Sequence, residues 1–237
     1  MSGRYDGQVA VVSGAHRGVG RHIAEHILDE GGTVVGLARG DAAYERDGYD
    51  HVIADVGDGD QVAAAFRHVK SAHGKVDIVV NNAAVLTSQY AMIMPAANAK
   101  AMTDTNLLGP FLVSREAAKL MRKAKSGRIV NIGSMAASLE PMGDSLYAAC
   151  KAALTTLSGV LAKEFGTFGV TVNTLAITAI ETDMLNQLPR EKIDEIIAAL
   201  PVPRYAEPDD ILNVLDFFCD PRSSYISAQT IFLGGLH

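Results

Sequence analysis

Tyr147 and Lys151 stand four residues apart in the stretch 144–154, DSLYAACKAAL. A phenol and an ammonium ordinarily titrate near about 10 and about 10.4, so neither alone is an acid–base group at neutral pH. Residues four apart on a helix share a face. A cation about 4 Å from a phenolate is worth roughly 4 kcal/mol at an effective dielectric near 20. At about 1.4 kcal/mol per unit, that predicts a phenol lowered by up to roughly three units, from about 10 toward 7. A tyrosine in that range suits general acid–base catalysis at neutral pH.

Such a pair needs a scaffold, and the chain alternates short apolar runs with longer amphipathic segments. The runs Val9–Ser13, Thr33–Leu37, His51–Ala54, Asp77–Asn81, Arg128–Gly133, Val170–Leu175 and Gln229–Leu233 read as strands. Segments of helical length lie between most of them, among them Gly18–Glu30, Gly59–Ala72 and Ser145–Phe165. Continuous rather than alternating apolar strands imply burial on both faces. Strand–helix alternation then predicts an α/β fold: a seven-stranded parallel sheet covered by helices. Tyr147 and Lys151 fall early in one of those helices.

The first strand runs into SGAHRGVGRHIAEHILDEGG, with glycines at 14, 18 and 20. A strand that ends in a glycine turn and opens a helix aims free backbone N–H groups at an anion. The turn's position at the first strand–helix junction points to a dinucleotide. The second strand ends in Ala38 and Arg39. A carboxylate there would bond the ribose hydroxyls of NAD. A guanidinium instead clamps a 2′-phosphate, and Arg17 in the glycine turn is a second candidate. This favours NADP(H). Asp55 and Val56 follow the third strand, where adenine could be held. Asn81, Asn82 and Ala83 end the fourth. In open parallel sheets ligands bind beyond the carboxyl ends of the strands, so these segments converge on one edge.

Taken in order, Gly14-x-x-x-Gly18-x-Gly20, Asn81-Asn82-Ala83, Asn106, Ser134 and Tyr147-x-x-x-Lys151 resemble the short-chain dehydrogenase/reductases. The resemblance runs from Val9 to about Gly235. Within the family, GRIVNIGS and IETDM are most similar to 3-oxoacyl-acyl-carrier-protein reductase-like members. It implies a single doubly wound Rossmann-type domain over residues 1–237, with a small helical substrate lid at 178–205. By the same resemblance, Ser134 would hold the substrate carbonyl oxygen and Tyr147 would exchange a proton with it. Lys151 would bind the nicotinamide ribose and depress the tyrosine, and Asn106 would hold a water that links Lys151 to solvent. The implied cofactor-binding set is Gly14, His16, Arg17, Gly18, Val19, Gly20, Arg39, Asp55, Val56, Asn82, Ala83, Tyr147, Lys151, Ile180 and Thr182, with no metal. Three departures stand out. Ser13 replaces the usual Thr, Ala84 replaces a glycine, and Ile177-Thr178 replace a Pro-Gly pair beside the nicotinamide.

Composition narrows the function classes. The chain has 237 residues, 48% of them hydrophobic and 20% charged, which is ample for a core. The net charge of −6, without long Lys or Arg runs, argues against nucleic acid or an anionic membrane as partner. The N-terminal stretch lacks the form of a signal peptide, which makes the cytosol the expected compartment. Cys150 and Cys219 read as reduced core residues rather than a disulfide or zinc pair. The expected activity is NADPH-dependent reduction of a ketone. The rival enzymatic reading is oxidation of a sugar or cyclic alcohol, and the rival from another class is a non-catalytic NADP-binding sensor. A sensor would be expected to lose the tyrosine or lysine, and this chain keeps both. Small residues at helical spacing, Ala149, Ala152, Ala153, Thr156 and Gly159, together with the resemblance, imply a homo-oligomer, tetramer or dimer.

Overall fold

Seven strands pair in the order β3-β2-β1-β4-β5-β6-β7, every pair parallel. They are β1 (Val9–Ser13), β2 (Thr33–Ala38), β3 (Tyr49–Ile53), β4 (Ile78–Asn81), β5 (Gly127–Ser134), β6 (Val170–Ile177) and β7 (Thr230–Phe232). The computed structural model describes residues 3–42, 44–182, 185 and 190–235. The four residues of β4 and all five of β1 are buried, as their unbroken apolar runs require. The strand order reverses between β1 and β4, and the crevice outside their carboxyl ends is the topological switch point where ligands bind in open sheets.

Helices cover both faces. On one side lie α2 (Gly59–His73), α4 (Gly109–Ala124) and α6 (Ser145–Gly166), whose Val62, Phe66, Leu112, Val113 and Leu161 pack on Val11, Val79 and Val172. On the other, α1 (Gly18–Asp29) and α8 (Pro208–Cys219) bring Ile23, Ile27, Ile211 and Phe218 against Val12, Ile78 and Val130. Caps fix where these helices start. The Asp58 carboxylate accepts from the N–H groups of Asp60 and Gln61 at the head of α2. Glu207 and Asp210 form a capping box at α8, with Pro208 in its first turn. Between β4 and α4, helix α3 (Ala96–Thr103) passes through a π-helical turn, Asp104–Leu108. Among the described residues, the remaining α-helices are α5 (Ala136–Leu139) and α7 (Arg190–Ala199).

Two strand boundaries differ by two residues from the apolar runs in the sequence, and the others by at most one. β3 starts at Tyr49 rather than His51, because Tyr49 and Asp50 pair with Val34 and Val35 on an edge strand that needs no apolar run. β6 runs on to Ile177, which pairs with Ser134 and accepts the Met135 N–H at 2.8 Å. A proline at 177 would fix φ and lack the N–H; the β-branched residue instead extends the sheet. Of the lid expected over 178–205, residues 183, 184 and 186–189 lie outside the described residues. Ile193 in α7 and Leu200 just after it are buried, and Ile196 and Ile197 are half-buried.

Candidate active site

Ser13 organises the floor of the crevice, and sequence reasoning gave it no role beyond its hydroxyl. That hydroxyl accepts the N–H groups of Asn82 and Ala83, both at 3.0 Å. The Asn82 amide donates back to the Ser13 carbonyl at 3.0 Å. The end of β4 is thereby fixed to the end of β1. Gly14 has φ +69°, open mainly to glycine, and a Cβ on Gly20 would drive into the Gly14 carbonyl and the Asn82 amide. The glycines thus serve both turn geometry and close packing of α1 on the strand ends. Unlike α2 and α8, α1 has no side-chain cap: Arg17 at its head makes no cap hydrogen bond. Its first N–H groups face the crevice as an anion site.

A cavity of about 500 Å³ extends from this turn. Of the expected cofactor-binding residues, Gly14, His16, Arg17, Gly18, Val19, Arg39, Asp55, Val56, Asn82, Ala83, Tyr147, Lys151, Ile180 and Thr182 line it; Gly20 lies behind the wall. Ala38 is buried and Arg39 exposed at its mouth. Burial, then the nearby Arg17, His51 and Arg39, hold His16 below the usual histidine range. The His16 Nδ1 is buried without a hydrogen-bond partner among the described residues. Arg17, Arg39 and His16 therefore gather positive charge and donors at the end of β2. His51 donates to, or accepts at, the Tyr49 hydroxyl through Nδ1, and its Nε2 lies 2.8 Å from the Gly40 carbonyl, tying down the loop after Arg39.

A second cavity, of about 280 Å³, opens beside the first. Ser134, Met135, Leu139, Met142, Thr178 and Ile196 are among its walls, and Tyr147, Ile177, Ile180 and Thr182 line both cavities. Tyr147 thus forms part of the partition. The Ser134 hydroxyl lies near enough to the phenol to lower its pKa, and it accepts the Ala136 N–H at 3.1 Å. The Thr182 hydroxyl bonds the Ile180 carbonyl and the Leu185 N–H, at 3.4 and 3.3 Å.

The electrostatics of the pair correct the sequence expectation. Burial pushes the Tyr147 phenol up to about 12, with the nearby Ser134 hydroxyl opposing it and Asp144 adding to it. Burial also lowers Lys151 to about 8. The Lys151 Nζ donates to the Ile132 carbonyl at 2.7 Å and lies 5.8 Å from the centre of the Tyr147 ring. The two do share a face of α6. But the ammonium is drawn to a strand carbonyl, and desolvation outweighs its attraction for a phenolate.

Asn106 is fully buried in the π-helical turn and lines neither cavity. Its Oδ1 accepts the Val85 N–H at 2.9 Å and its Nδ2 donates to the Val85 carbonyl at 2.8 Å. Each polar end thus makes one bond to a wall residue of the larger cavity. Behind the site, Asn81, Asn131, Ser158 and Thr174 form a buried chain of hydrogen bonds across β4, β5, β6 and α6, at 2.7–2.8 Å per link. These residues sit inside apolar runs, and polar residues at alternate strand positions were the signal available for them.

Residues 14–237 match a protein-family model described as enoyl-(acyl carrier protein) reductase. The chain is 32% identical over 236 residues to 3-oxoacyl-acyl-carrier-protein reductase FabG of Vibrio cholerae, covering 97% of each. It is 32% identical over 237 residues to that reductase of Escherichia coli, covering 98% of this chain and 97% of the relative. Among solved structures, gluconate 5-dehydrogenase of Burkholderia cenocepacia, in complex with NADP and tartrate, superposes with a TM-score of 0.91. It is 26% identical, over 98% of this chain and 96% of that one. Ligand-free aldohexose dehydrogenase of Thermoplasma acidophilum gives 0.88 at 27% identity, over 98% and 94%.

Proposed function

The chain belongs to the short-chain dehydrogenase/reductase family of oxidoreductases, and from that premise we propose that it reduces a ketone, 3-oxoacyl-like or another small carbonyl, to a secondary alcohol with NADPH. The observation that carries this reading is Tyr147, which lines both a dinucleotide-sized cavity and a smaller one whose wall also holds Ser134.

The residues present fit NADPH. The uncapped head of α1 suits its pyrophosphate. Arg17, Arg39 and the unpartnered His16 Nδ1 suit an adenosine 2′-phosphate, which an acidic residue at Ala38 would have repelled. Asp55 and Val56 would flank the adenine. Lys151, Ile180 and Thr182 would flank the nicotinamide end. NADP in the Burkholderia neighbour supports the same choice.

Bound NADPH would supply the hydride received by the carbonyl carbon. The Ser134 hydroxyl holds the carbonyl oxygen in place and stabilises the charge that develops on it. The Tyr147 Oη–H bond breaks as its proton moves to that oxygen, which completes the alcohol. A proton from solvent then restores the phenol on the side where the Lys151 Nζ is held against the Ile132 carbonyl. Asn106 keeps Val85, and with it the cavity wall, in register. A phenol raised to about 12 is in its donating form at neutral pH, which suits reduction.

The second reading, oxidation of a sugar or cyclic alcohol, draws on the two dehydrogenase neighbours; the same residues would work in reverse. The test is turnover of NADPH with a panel of ketones and acyl-thioesters, followed by nicotinamide absorbance, beside NADP⁺ with polyols. Consumption of NADPH with ketones is the expected result. Activity with NADP⁺ and sugars alone would favour the second reading, and binding of NADPH without turnover of any compound would indicate a sensor.

A further inference from the structure

The turn at 141–144 holds an acid that carbonyl reduction does not require. Asp144 immediately precedes α6 and is 7% exposed. At that position an aspartate ordinarily caps the helix, yet this side chain makes no cap hydrogen bond. Its Oδ1 is buried with no hydrogen-bond partner among the described residues. An unpaired buried carboxylate oxygen is costly. The backbone around it is nevertheless held firmly. The Asp144 N–H donates to Pro141 at 3.1 Å, and its carbonyl accepts the Ala148 N–H at 2.8 Å. The Gln89 N–H bonds the Gly143 carbonyl at 2.7 Å.

Asp144 lines the smaller cavity beside Ser134 and Tyr147. It precedes Tyr147 by three residues, and positions three apart on a helix are neighbours. The other ionisable groups described on that wall are Glu195 of α7 and Tyr147 itself; no lysine or arginine is among the described lining residues. Otherwise the lining is largely apolar, with hydroxyls at Ser88, Ser134, Thr178 and Thr182. A carboxylate thus shares the wall of this cavity with Ser134 and Tyr147, and its buried Oδ1 lacks a donor among the described residues.

We propose that Asp144 is the specificity-determining residue of the smaller cavity, accepting a hydrogen bond from a hydroxyl that the substrate carries beside its reacting carbonyl. The preferred class is an uncharged hydroxyketone. A plain acyl chain leaves the carboxylate unpaired, and a substrate carboxylate meets like charge from Asp144 and Glu195. The inference rests on the carbonyl-reductase reading above.

The experiment compares kcat/KM with NADPH for matched pairs: 2-hydroxycyclohexanone against cyclohexanone, and 4-hydroxy-2-butanone against acetoacetate. A hydrogen bond to a charged acceptor predicts a preference for the hydroxylated, uncharged member of each pair of about tenfold or more. In Asp144→Leu that ratio should fall toward one, chiefly through KM. Asp144→Asn, which keeps an acceptor and the same shape, should retain part of it and guards against a folding defect in the leucine variant. Turnover by the wild type with equal ratios in wild type, Asp144→Asn and Asp144→Leu would overturn the proposal. So would variants whose pH profiles shift while the ratios stay fixed, since Asp144 would then act only through Tyr147. Absence of turnover with every ketone would instead overturn the reductase reading, and the inference with it.

Discussion

Arg39 is exposed and Ala38 is buried at the end of one strand, and the proposed choice of a phosphorylated cofactor turns on that guanidinium. Replacing Arg39 by Ala should raise the KM for NADPH about tenfold or more, the worth of a charge-assisted pair, and leave that for NADH nearly unchanged. Equal losses with both cofactors in steady-state kinetics would show that Arg39 does not read the 2′-phosphate. The acid–base pair makes a second test. Tyr147→Phe should lower turnover by roughly 10²–10⁴-fold while NADPH binding, followed by fluorescence, stays within a few-fold; a near-normal rate would sink the mechanism. The pH profile follows from the directions of the shifts. Tyr147 is raised to about 12, so it remains a donor across the neutral range. Lys151 is lowered to about 8, so its ammonium is lost as pH climbs through that value. Ketone reduction should therefore be level near neutrality and decline above about pH 8. Lys151→Arg keeps its charge to higher pH, so whatever activity it retains should decline later. A wild-type profile that rises through pH 8 would contradict this assignment.

At the scale of elements, the sequence carried most of the sheet and much of the site, and it failed where burial rather than residue type decides. β1, β2, β4, β5 and β6 were legible because strands covered on both faces are mainly apolar and β-branched runs. β3 was misplaced at its start because Tyr49 and Asp50 sit on an edge. The glycine turn, Ser134, Tyr147 and Lys151 were legible as types at spacings. The direction of the Tyr147 shift was not, because it depends on how completely α6 is desolvated against β5 and β6. Nor was the Asn106–Val85 clamp, which joins residues 21 apart. The tie between α1 and α8 was likewise invisible. Tyr5, His26 and Arg4 all meet Asp216: the phenol donates to Oδ1 at 2.5 Å, His26 Nε2 lies 2.9 Å from Oδ1, and Arg4 Nε lies 3.1 Å from Oδ2. The His26 hydrogen bond holds its pKa above the ordinary histidine value, so its stabilisation is fully present below about 6.5 and lost as pH rises through the folded value. Against the cost of its own burial, His26 and Tyr5 hold Asp216 below the usual carboxylate range, so its contribution is present above 3.8 and lost as pH falls through the folded value. Asp216→Asn should cost about 1–3 kcal/mol, with the gap from wild type widest in mildly acidic solution. Urea denaturation across pH 4–9 (about the range that spans both groups) would reveal it, and a gap independent of pH would exclude the His26 pairing as its source.

For the whole molecule, the unresolved question in the sequence was which way the small residues of α6 face. They face outward: Ala149, Ala152 and Thr156 are exposed, with Ala153 and Gly159 half-buried, while Tyr147, Lys151, Leu154, Ser158 and Leu161 turn inward. By length and composition α6 is also apolar enough to cross a membrane. Its inward face, however, carries a buried lysine bonded to Ile132 and a serine in the Asn131–Thr174 chain, which mark it as a core helix of this sheet. Its mean apolarity arises because the outward face is apolar as well. Beside it on the same side of the sheet, α4 and the π-helical turn before it expose Phe111 and Leu108, each at 38%, and α6 adds Val160 at 47%. A surface of alanines lets another helix approach closely, and larger apolar groups at its margin add buried area when it does. The expected outcome is a homo-oligomer in which α4 and α6 of one copy pack on those of another, so that sedimentation at micromolar concentration gives a multiple of the 25.1 kDa chain mass. Ala152→Arg places a charge and a long side chain in the middle of that face without touching the inward residues of α6. It should dissociate the assembly while the far-ultraviolet circular dichroism stays native. A wild-type protein that sediments only at the chain mass would refute the expectation. An Ala152→Arg variant that keeps the wild-type mass would place the contact on another face.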